Sequence, residues 1–316
     1  VTDTAGLGDQ NFNDLANKGG TEAAADFGID WQVFESADPA AYVPNLTAGA
    51  EQGELTIGVG ALLTDAMNEV APQFPEKKFI LIDAPSTASN VRSVTYRENE
   101  PSFLVGVVAG KFTKSNKVGL VGGIRIPPVI RYEVGFVAGV KSVNAAAEVS
   151  IAYADSFGDA AKGKELALAQ YEQGADIVFP VAGATGTGAY QAAAEKGAGF
   201  WVLGADVTQD HLAPGHELAV ARKGVDFAVY QGVKDLAEGT FTPGAVNYDL
   251  KSGGVGFETI DDRVPAEIVG LARGYAKLIV DGTLVVPSTD DELETFTPPA
   301  EPEPIMEASP EATPGA

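Results

Sequence analysis

Short apolar runs alternate with longer amphipathic segments along most of the chain. Runs such as Phe79-Ile-Leu-Ile82 and Ile177-Val-Phe179 are typical of parallel strands that are covered on both faces. The first three residues, which end at Asp3, are also predicted to be extended as a strand. The other predicted strands span residues 31–34, 55–58, 79–83, 91–96, 118–122, 148–154, 176–181, 200–204 and 217–222.

The segments between these strands carry apolar residues at helical spacing. In the first of them Phe12, Leu15, Ala16, Ala23 and Phe27 fall on one face. The predicted helices span residues 9–27, 39–51, 62–73, 98–113, 128–143, 158–173, 185–196, 223–238 and 265–281. Such alternation predicts an α/β protein made of βαβ units in doubly wound parallel sheets.

The alternating pattern starts afresh near residue 117, which predicts two lobes joined by a multi-strand hinge. We assign residues 1–99 and about 223–245 to an N-terminal lobe, and residues 100–222 and about 246–285 to a C-terminal lobe. Residues 286–316 are predicted to be an extended or disordered tail. From residue 297 onward this tail has six prolines, four glutamates and no cation, a composition that buries little apolar surface.

Composition and charge exclude several classes of function. The chain has 44 acidic and 21 basic residues and a net charge of −23, which opposes binding to nucleic acid or anionic lipid. It has no cysteine, which excludes disulfides, thiolate metal sites and cysteine nucleophiles. No apolar run reaches the ~18 residues of a membrane span. Because Val1 already lies in a predicted strand, we expect an N-terminal segment with a signal peptide and an anchor to precede it.

Signals for catalysis or metal binding are weak. His211 and His216 flank a loop that contains Pro214, so they do not form a helical zinc motif and are interpreted as loop residues. The chain has no Gly-x-Ser-x-Gly motif, and its acidic run at residues 290–294 is interpreted as a solvated segment. We therefore predict a site that holds a ligand, with no catalytic residue, cofactor or metal.

Polar side chains recur where predicted strands end. Asp3, Asp83 and Asp206 each lie at such an end, where open α/β sheets bind ligands. Phe12 and Asn13 lie in the first turn of the helix that follows Asp3. Each aspartate alone fits a helix cap or a loop charge equally well, but three in equivalent positions favour a shared polar site.

Three further positions fit a cleft. Phe157 lies in a loop that enters a helix, as Phe12 does, and such a pair either belongs to the core or clamps a flat ring. Lys223 begins a predicted helix, where a cation is unfavourable unless a carboxylate or ligand accompanies it. Gly183 opens a Gly-x-x-Gly-x-Gly turn, the reverse of the dinucleotide fingerprint, and is interpreted as a point where backbone approaches a ligand.

Taken together, these segments resemble the basic membrane lipoprotein family, the substrate-binding proteins of ABC importers that include purine nucleoside receptor lipoproteins. The resemblance runs from residue 1 to about 285, with its motifs in the same order and spacing. The segments that carry it are residues 3–13, 79–83, 103–110, 118–123, 181–186, 203–206 and 212–215.

The resemblance implies a type I periplasmic-binding fold, a nucleoside in the cleft and an ABC permease as membrane partner. It also implies a monomer at the outer face of the cell membrane, anchored by lipid. The rings that would stack on the base are those of Phe12 and Phe157. The side chains that would meet the base edge, or line that end of the pocket, are Asp3, Asn13 and Asp83.

The resemblance places the ribose hydroxyls at Asp206 and Lys223, with the Gly183 backbone close by. The chain departs from the family pattern in three ways. Thr208 replaces a second acidic residue, Asn11 replaces the serine of a Ser-Phe-Asn motif, and the lipid-anchoring cysteine is absent. These departures concern ligand choice and anchoring.

Three other functions remain as alternatives. The same module serves as a sensor for a nucleoside, another metabolite or a sugar, reporting to a membrane kinase or regulator. A DNA-binding regulator of this fold needs an upstream helix-turn-helix, and the acidic charge opposes it. A nucleoside hydrolase needs an aspartate cluster around calcium, for which the loop from Asp3 to Asp9 is a poor substitute.

Overall fold

The computed structural model describes residues 1–260 and 262–306 of the 316-residue chain. Two β-sheets with helices packed on them make up this part of the chain. The strands are β1 (Leu55–Val59), β2 (Lys78–Ile82), β3 (Val91–Tyr96), β4 (Lys117–Gly122), β5 (Glu148–Tyr153), β6 (Ile177–Val181), β7 (Trp201–Asp206), β8 (Glu217–Lys223), β9 (Gly244–Tyr248) and β10 (Val255–Thr259).

The helices lie between the strands close to their predicted positions. The observed and predicted bounds of the helices differ mainly by a few residues at the helix ends, where short 3₁₀ turns extend several helices. The α-helices are α1 (Phe12–Phe27), α2 (Tyr42–Gln52), α3 (Thr64–Val70), α4 (Asn99–Phe112), α5 (Pro127–Val143), α6 (Ala160–Glu172), α7 (Thr187–Lys196), α8 (Val225–Ala237), α9 (Ala266–Val280) and α10 (Asp290–Thr295).

The smaller sheet has the order β1-β2-β3-β9 and is parallel throughout. The larger sheet has the order β10-β8-β7-β6-β4-β5 and is parallel except that β10 runs antiparallel to β8. We call the smaller sheet with α1, α2, α3 and α8 the small-sheet lobe, and the larger sheet with the other helices the large-sheet lobe. Each lobe has its own buried apolar clusters, built from strands that are apolar on both faces.

The chain crosses between the two sheets three times. The crossovers follow β3, β8 and β9, and lead into α4, α8 and β10 respectively. The last crossing lies between Tyr248 and Val255, a few residues later than the boundary near 245 expected from the sequence, because β9 pairs with β3 over its whole length. Backbone hydrogen bonds from Arg97 to Tyr248 and from Gly224 to Gly254 join neighbouring crossovers.

Helices α4 and α5 pack backbone against backbone. A Cβ added at Gly139 would lie 2.0 Å from the carbonyl oxygen of Phe103, and one at Gly135 would lie 2.3 Å from that of Asn99. No larger residue fits at either position without moving a helix. This close approach fixes the start of α4 beside the first turns of α5, which matters for the site described below.

Two predicted strands are wrong. Residues 1–3 and 31–34 form no strand in the structure. Val1 exchanges hydrogen bonds with Ile57 and Val59 of β1, and the Thr2 N–H donates to the Phe34 carbonyl at 3.0 Å. These few bonds hold both segments beside β1 without a continuing ladder, so Asp3 still follows an extended segment at the edge of the small sheet.

The tail is more ordered than predicted up to residue 306. Instead of an extended segment, α10 forms after Thr289, whose hydroxyl accepts from the Glu292 N–H, and acidic residues in its first turn favour the helix start. Residues 297–306 then run as an extended strap along α9, where the Ile305 N–H donates to the Gly270 carbonyl. The prediction for residues 307–316 lies outside the described residues.

Within the described residues, we find no helix that combines the length and apolar character needed to cross a membrane.

Candidate ligand-binding site

A cavity between the two lobes collects the residues that the sequence singles out. Its volume is about 590 Å³ with the open mouth included, within the usual range for small-molecule sites. It lies at the carboxyl ends of strands from both sheets, where such folds bind ligands. All eight predicted residues line it: Asp3, Phe12, Asn13, Asp83, Phe157, Gly183, Asp206 and Lys223.

One end of the cavity is built around the first turn of α1. We call Asp3, Asp9, Asn11 and Asn13 the amide end. The Asp9 carboxylate accepts from the backbone N–H groups of Asn11, Asn13 and Asp14 at 2.8–3.1 Å. It thereby caps α1 with a negative charge, which the helix dipole favours.

The side chain of Asn13 is held in one orientation. Its Nδ2 donates to Asp3 at 2.9 Å and to Asp9 at 3.0 Å. Because a carboxylate only accepts, the amide nitrogen must face these two groups and Oδ1 must face away. Asn11 is fixed in the same way, since its Nδ2 donates to the Ala205 carbonyl at 3.2 Å.

This arrangement leaves buried acceptors without partners. Oδ1 of Asn11, Oδ1 of Asn13 and Oδ1 of Asp83 are buried and accept no hydrogen bond from any residue that the structure describes. All three residues line the cavity. Burying an unpaired polar atom is costly, so these oxygens indicate a ligand that brings N–H or O–H donors.

Beside the amide end, where Asn11 donates to the Ala205 carbonyl, the cavity borders a buried group of charges. We call Asp83, Glu98, Arg131, Asp206 and Lys223 the ion cluster. The Lys223 ammonium donates to Asp83 Oδ2 at 2.6 Å and lies 3.1 Å from Glu98 Oε1. Glu98 in turn accepts from Arg131 Nε at 2.5 Å. Asp206 accepts from the Tyr132 hydroxyl at 2.6 Å.

Asp83 therefore pairs with Lys223 in this structure, and its contact with the base edge, which the resemblance implies, stays a prediction. Opposite charges account for the placement, because the ammonium at 2.6 Å is the group that best stabilises a buried carboxylate. The carboxylate also accounts for the cation at the helix start, since Lys223 directly precedes the first residues of α8.

Burial shifts the pKa values of charged side chains in both the amide end and the ion cluster. Burial raises the pKa of Asp3 and Asp9, although the hydrogen bonds that these carboxylates accept act in the opposite direction and lower it. Burial also raises the pKa of Asp83 to about 6 and raises that of Asp206, in each case against the charge of Lys223. For Lys223, burial alone lowers the pKa, but the nearby carboxylates outweigh it and raise the pKa above its ordinary value.

The two aspartates of the ion cluster have an unusual backbone conformation. Asp83 has φ 75° and Asp206 has φ 64°, the left-handed region that residues other than glycine rarely adopt. Asp83 follows β2 directly, and Asp206 is the last residue of β7. Such local strain concentrates at ligand sites, where it aims side chains.

Aromatic and apolar groups form the walls between the two ends. Phe12 comes from α1 of the small-sheet lobe, and Phe157 from the loop after β5 of the large-sheet lobe. The Lys223 ammonium lies 5.0 Å from the centre of the Phe12 ring. Gly183, with φ 54°, brings its backbone to the Phe157 side of the cavity, at the start of the turn that leads into α7.

At the mouth, loops of the two lobes touch directly. The Gln209 side chain donates to the Gln10 carbonyl at 3.0 Å, and His211 Nε2 lies 2.8 Å from Gln10 Oε1. His211 is thus an exposed loop residue at the edge of the cleft. Across the described ranges, no group of three or more His, Cys, Asp or Glu side chains is arranged to hold a metal ion.

Sequence reasoning missed several residues of the site. Asp9 carried a usable signal, an acidic residue just before a predicted helix. Glu98, Arg131 and Tyr132 carried none, because charged residues near helix starts are common and a helical aromatic is most often core. Their contacts depend on the close packing of α4 against α5.

The two-lobed fold and its cleft are similar to those of solute-binding proteins of ABC transport systems. A solved solute-binding protein of such a system from Aeropyrum pernix K1 has a TM-score of 0.82 and 30% identity, over 93% of this chain and 94% of that chain. The α/β, type I periplasmic-binding fold expected from the sequence is confirmed.

The chain belongs to the Bmp family, whose model, described as ABC transporter substrate-binding protein PnrA-like, matches residues 1–290. It is 35% identical to the ABC transporter nucleoside-binding protein BmpA of Lactococcus lactis subsp. cremoris, over 91% of this chain and 88% of that protein. It is 32% identical to an uncharacterized lipoprotein of Pyrococcus abyssi, over 82% of this chain and 68% of that protein.

Membership confirms the family resemblance. The chain is a substrate-binding protein of an ABC transporter, with a ligand and a membrane permease as partners and an extracytoplasmic location. The family is a class of binding proteins and not a class of enzymes.

Proposed function

We propose that this protein binds a purine nucleoside in the cavity between its lobes and delivers it to the permease of an ABC importer. The observation that carries the proposal is the composition of the cavity. Its lining combines aromatic rings, unpartnered acceptors, and a buried ammonium with carboxylates. A nucleoside has the matching parts: a flat base with N–H donors and a sugar with hydroxyls.

The base lies between Phe12 and Phe157, with its edge at the amide end. Stacking on each ring contributes about 0.5–1.5 kcal/mol beyond the area that it buries. Oδ1 of Asn13, fixed as an acceptor by Asp3 and Asp9, receives an N–H of the base. The buried carboxylates exclude a ligand edge that carries only acceptors.

The ribose lies at the ion cluster. A hydroxyl both donates and accepts, so Lys223 donates to it and a carboxylate of Asp83 or Asp206 accepts from it. Oδ1 of Asp83, which lacks a partner in the protein, is suited to this role. A ligand without the hydroxyls leaves these buried groups unpaired and binds more weakly.

Ligand binding closes the two lobes around the three crossovers, and the permease recognises the closed form. No bond is made or broken, and no cofactor takes part. The protein acts as a monomer at the outer face of the membrane, with a lipid anchor. The names of the relatives support this: BmpA of Lactococcus lactis is called nucleoside-binding, and the Pyrococcus abyssi relative is called a lipoprotein.

The test is calorimetric titration of the purified protein with adenosine, guanosine, inosine, uridine, cytidine, ribose and free bases. We expect submicromolar binding of a purine nucleoside, about −8 kcal/mol or better, with no release of free base on prolonged incubation. Binding of ribose or another sugar alone would replace the nucleoside by a sugar as ligand. Release of free base would contradict the binding-only role.

Asp206→Ala separates the two ends in the same assay. We expect the variant to lose affinity for ribosides, by about 1–3 kcal/mol, while its affinity for free bases changes little. Equal losses for both kinds of ligand would remove Asp206 from the sugar site.

A further inference from the structure

Glu98 is fully buried next to the cavity without lining it. It lies in the first crossover, between Tyr96 at the end of β3 and Asn99 at the start of α4, and none of its surface is exposed. One carboxylate oxygen lies 3.1 Å from the Lys223 ammonium, and the other accepts from Arg131 Nε at 2.5 Å. A buried carboxylate between two cations needs an explanation, because taking it out of water is costly.

Positive and negative charges alternate in order of contact, from Asp83 in the cavity lining to Arg131. Asp83 and Glu98 flank the ammonium of Lys223, and Arg131 neutralises the far side of Glu98. Arg131 lies mostly inside as well, with 20% of its side chain exposed. The ammonium thus contacts two carboxylates, the rings of Phe12 and Tyr96 lie 5.0 Å from it, and Lys223 also lines the cavity.

Glu98 and Lys223 come from different crossovers. Glu98 lies in the first, and Lys223 ends β8 where the second begins. In a hinge motion, the residues at the pivot move least. An ammonium fixed there keeps its place whether the lobes are open or closed, unlike Asp3 or Asp206, which belong to one lobe each.

We propose that Glu98 is a positioning residue for ligand binding: it holds the Lys223 ammonium at the pivot of the two lobes, with a donor directed at the ligand. This inference rests on the proposed function for the nature of the ligand. Glu98 acts only through Lys223 and does not touch the ligand.

Glu100 provides a matched control in the first turn of α4, directly after the same crossover. It is buried too, pairs with Arg97 at 3.3 Å and accepts from the Leu250 N–H at 2.8 Å, so it joins the first and third crossovers. It forms no ion pair with Lys223. Glu100→Gln therefore measures the effect of losing a buried carboxylate near the crossovers. The difference between Glu98→Gln and Glu100→Gln measures the effect of losing the contact with the Lys223 ammonium.

The first arm of the test needs no ligand. In the ligand-free protein, ¹H–¹⁵N spectra record the ammonium signal of Lys223, identified by its absence in Lys223→Met. We expect Glu98→Gln to speed exchange of these protons about tenfold, because a charge-assisted contact is lost, and Glu100→Gln to leave it unchanged. Unchanged exchange in Glu98→Gln, in protein whose melting temperature shows it to be folded, would overturn the proposal.

The second arm measures binding of adenosine and of 2′,3′-dideoxyadenosine, which lacks the hydroxyls. We expect Glu98→Gln to weaken adenosine about tenfold and the dideoxy compound much less, and Glu98→Asp to restore part of the loss. In a Lys223→Met background, Glu98→Gln should have almost no further effect on adenosine. Equal losses for both compounds, or additive effects of the two substitutions, would contradict a role through Lys223.

The two arms keep the proposals apart. If the unmodified protein binds no nucleoside, the proposed function fails, and the ammonium signal still decides whether Glu98 positions Lys223. If the protein binds adenosine and Glu98→Gln behaves as Glu100→Gln does, the positioning role fails and the proposed function stands.

Discussion

The two ends of the cavity satisfy their buried carboxylates by different means. At the amide end, Asp9 is surrounded by N–H groups from its own turn of chain, within five residues. In the ion cluster, Asp83 and Glu98 depend on Lys223, more than a hundred residues away in sequence. The amide end uses many neutral donors, whereas the ion cluster uses few charged ones.

This difference predicts different responses to substitution. Loss of one neutral hydrogen bond at the amide end leaves several others in place. Loss of the single ammonium from the ion cluster leaves the buried Asp83 carboxylate without a cation and Glu98 with Arg131 alone, a more costly state. The amide end should therefore tolerate change better than the ion cluster.

The largest effect is expected from Lys223→Met. Because the substitution leaves Asp83 and Glu98 without their shared cation, we expect a loss of about 3–5 kcal/mol in the free energy of unfolding, together with nucleoside binding that is weaker but still measurable. Urea denaturation and calorimetry measure the two effects. Lys77→Met is the control, since Lys77 pairs with the exposed Glu54 and its loss should cost well under about 1 kcal/mol. Similar small losses in both variants would contradict a central role for the ammonium.

Phe12→Ala tests the wall between the two ends. We expect nucleoside binding to weaken by about 1–3 kcal/mol while the fold stays intact, since the ring borders the cavity and is only partly buried. Phe227→Ala serves as control, because that ring is 49% exposed on α8 and outside the cavity lining. Unfolding of Phe12→Ala would show that the ring serves the core instead.

The pH dependence of the free energy of unfolding tests the raised pKa of the Asp83 carboxyl. The pKa of this carboxyl is raised to about 6 in the folded protein, above its value near 4 in the unfolded chain. The carboxyl therefore contributes its full stabilisation below about pH 4. This contribution is lost as the pH rises through about 6. In ligand-free thermal melts, the advantage of the unmodified protein over Asp83→Asn should shrink between pH 4 and 6, by at most about 1.4 kcal/mol per pH unit. A constant or growing difference over this range would contradict the raised pKa.

The smallest effect is expected from Asp9→Ala. Loss of the cap of α1 should lower the free energy of unfolding by about 1 kcal/mol. It should also loosen Asn13 and weaken binding. Thr289→Ala removes the cap of α10, far from the cavity, and should leave affinity unchanged. If Asp9→Ala leaves affinity unchanged as well, Asp9 acts on the helix alone.

Asp3 and Asn13 of the amide end, and Phe12 beside them, were predictable from sequence because the signals that mark them are local. Asp3, Phe12 and Asn13 lie within the first thirteen residues, and helical periodicity together with an extended start places them at one sheet edge. The helices and most strands were predictable for the same reason, since apolar periodicity is a local signal. The strands at residues 1–3 and 31–34 failed because a ladder depends on partners that a single segment does not reveal.

The ion cluster could be predicted only in part. Strand ends indicated Asp83 and Asp206, and a cation at a helix start indicated Lys223, but their pairing depends on how the two sheets face each other. Glu98 enters the cluster because α4 approaches α5 closely enough to bring Arg131 beside it. Such contacts between distant segments leave no periodic trace in the sequence.

The crystal structure of the complex with adenosine tests the account most directly. The account predicts the base between Phe12 and Phe157, an N–H of the base at Asn13 Oδ1, and ribose hydroxyls in contact with Lys223 and Asp206. A nucleoside bound in the reverse orientation, with its sugar at the amide end, or bound outside this cavity, would contradict it.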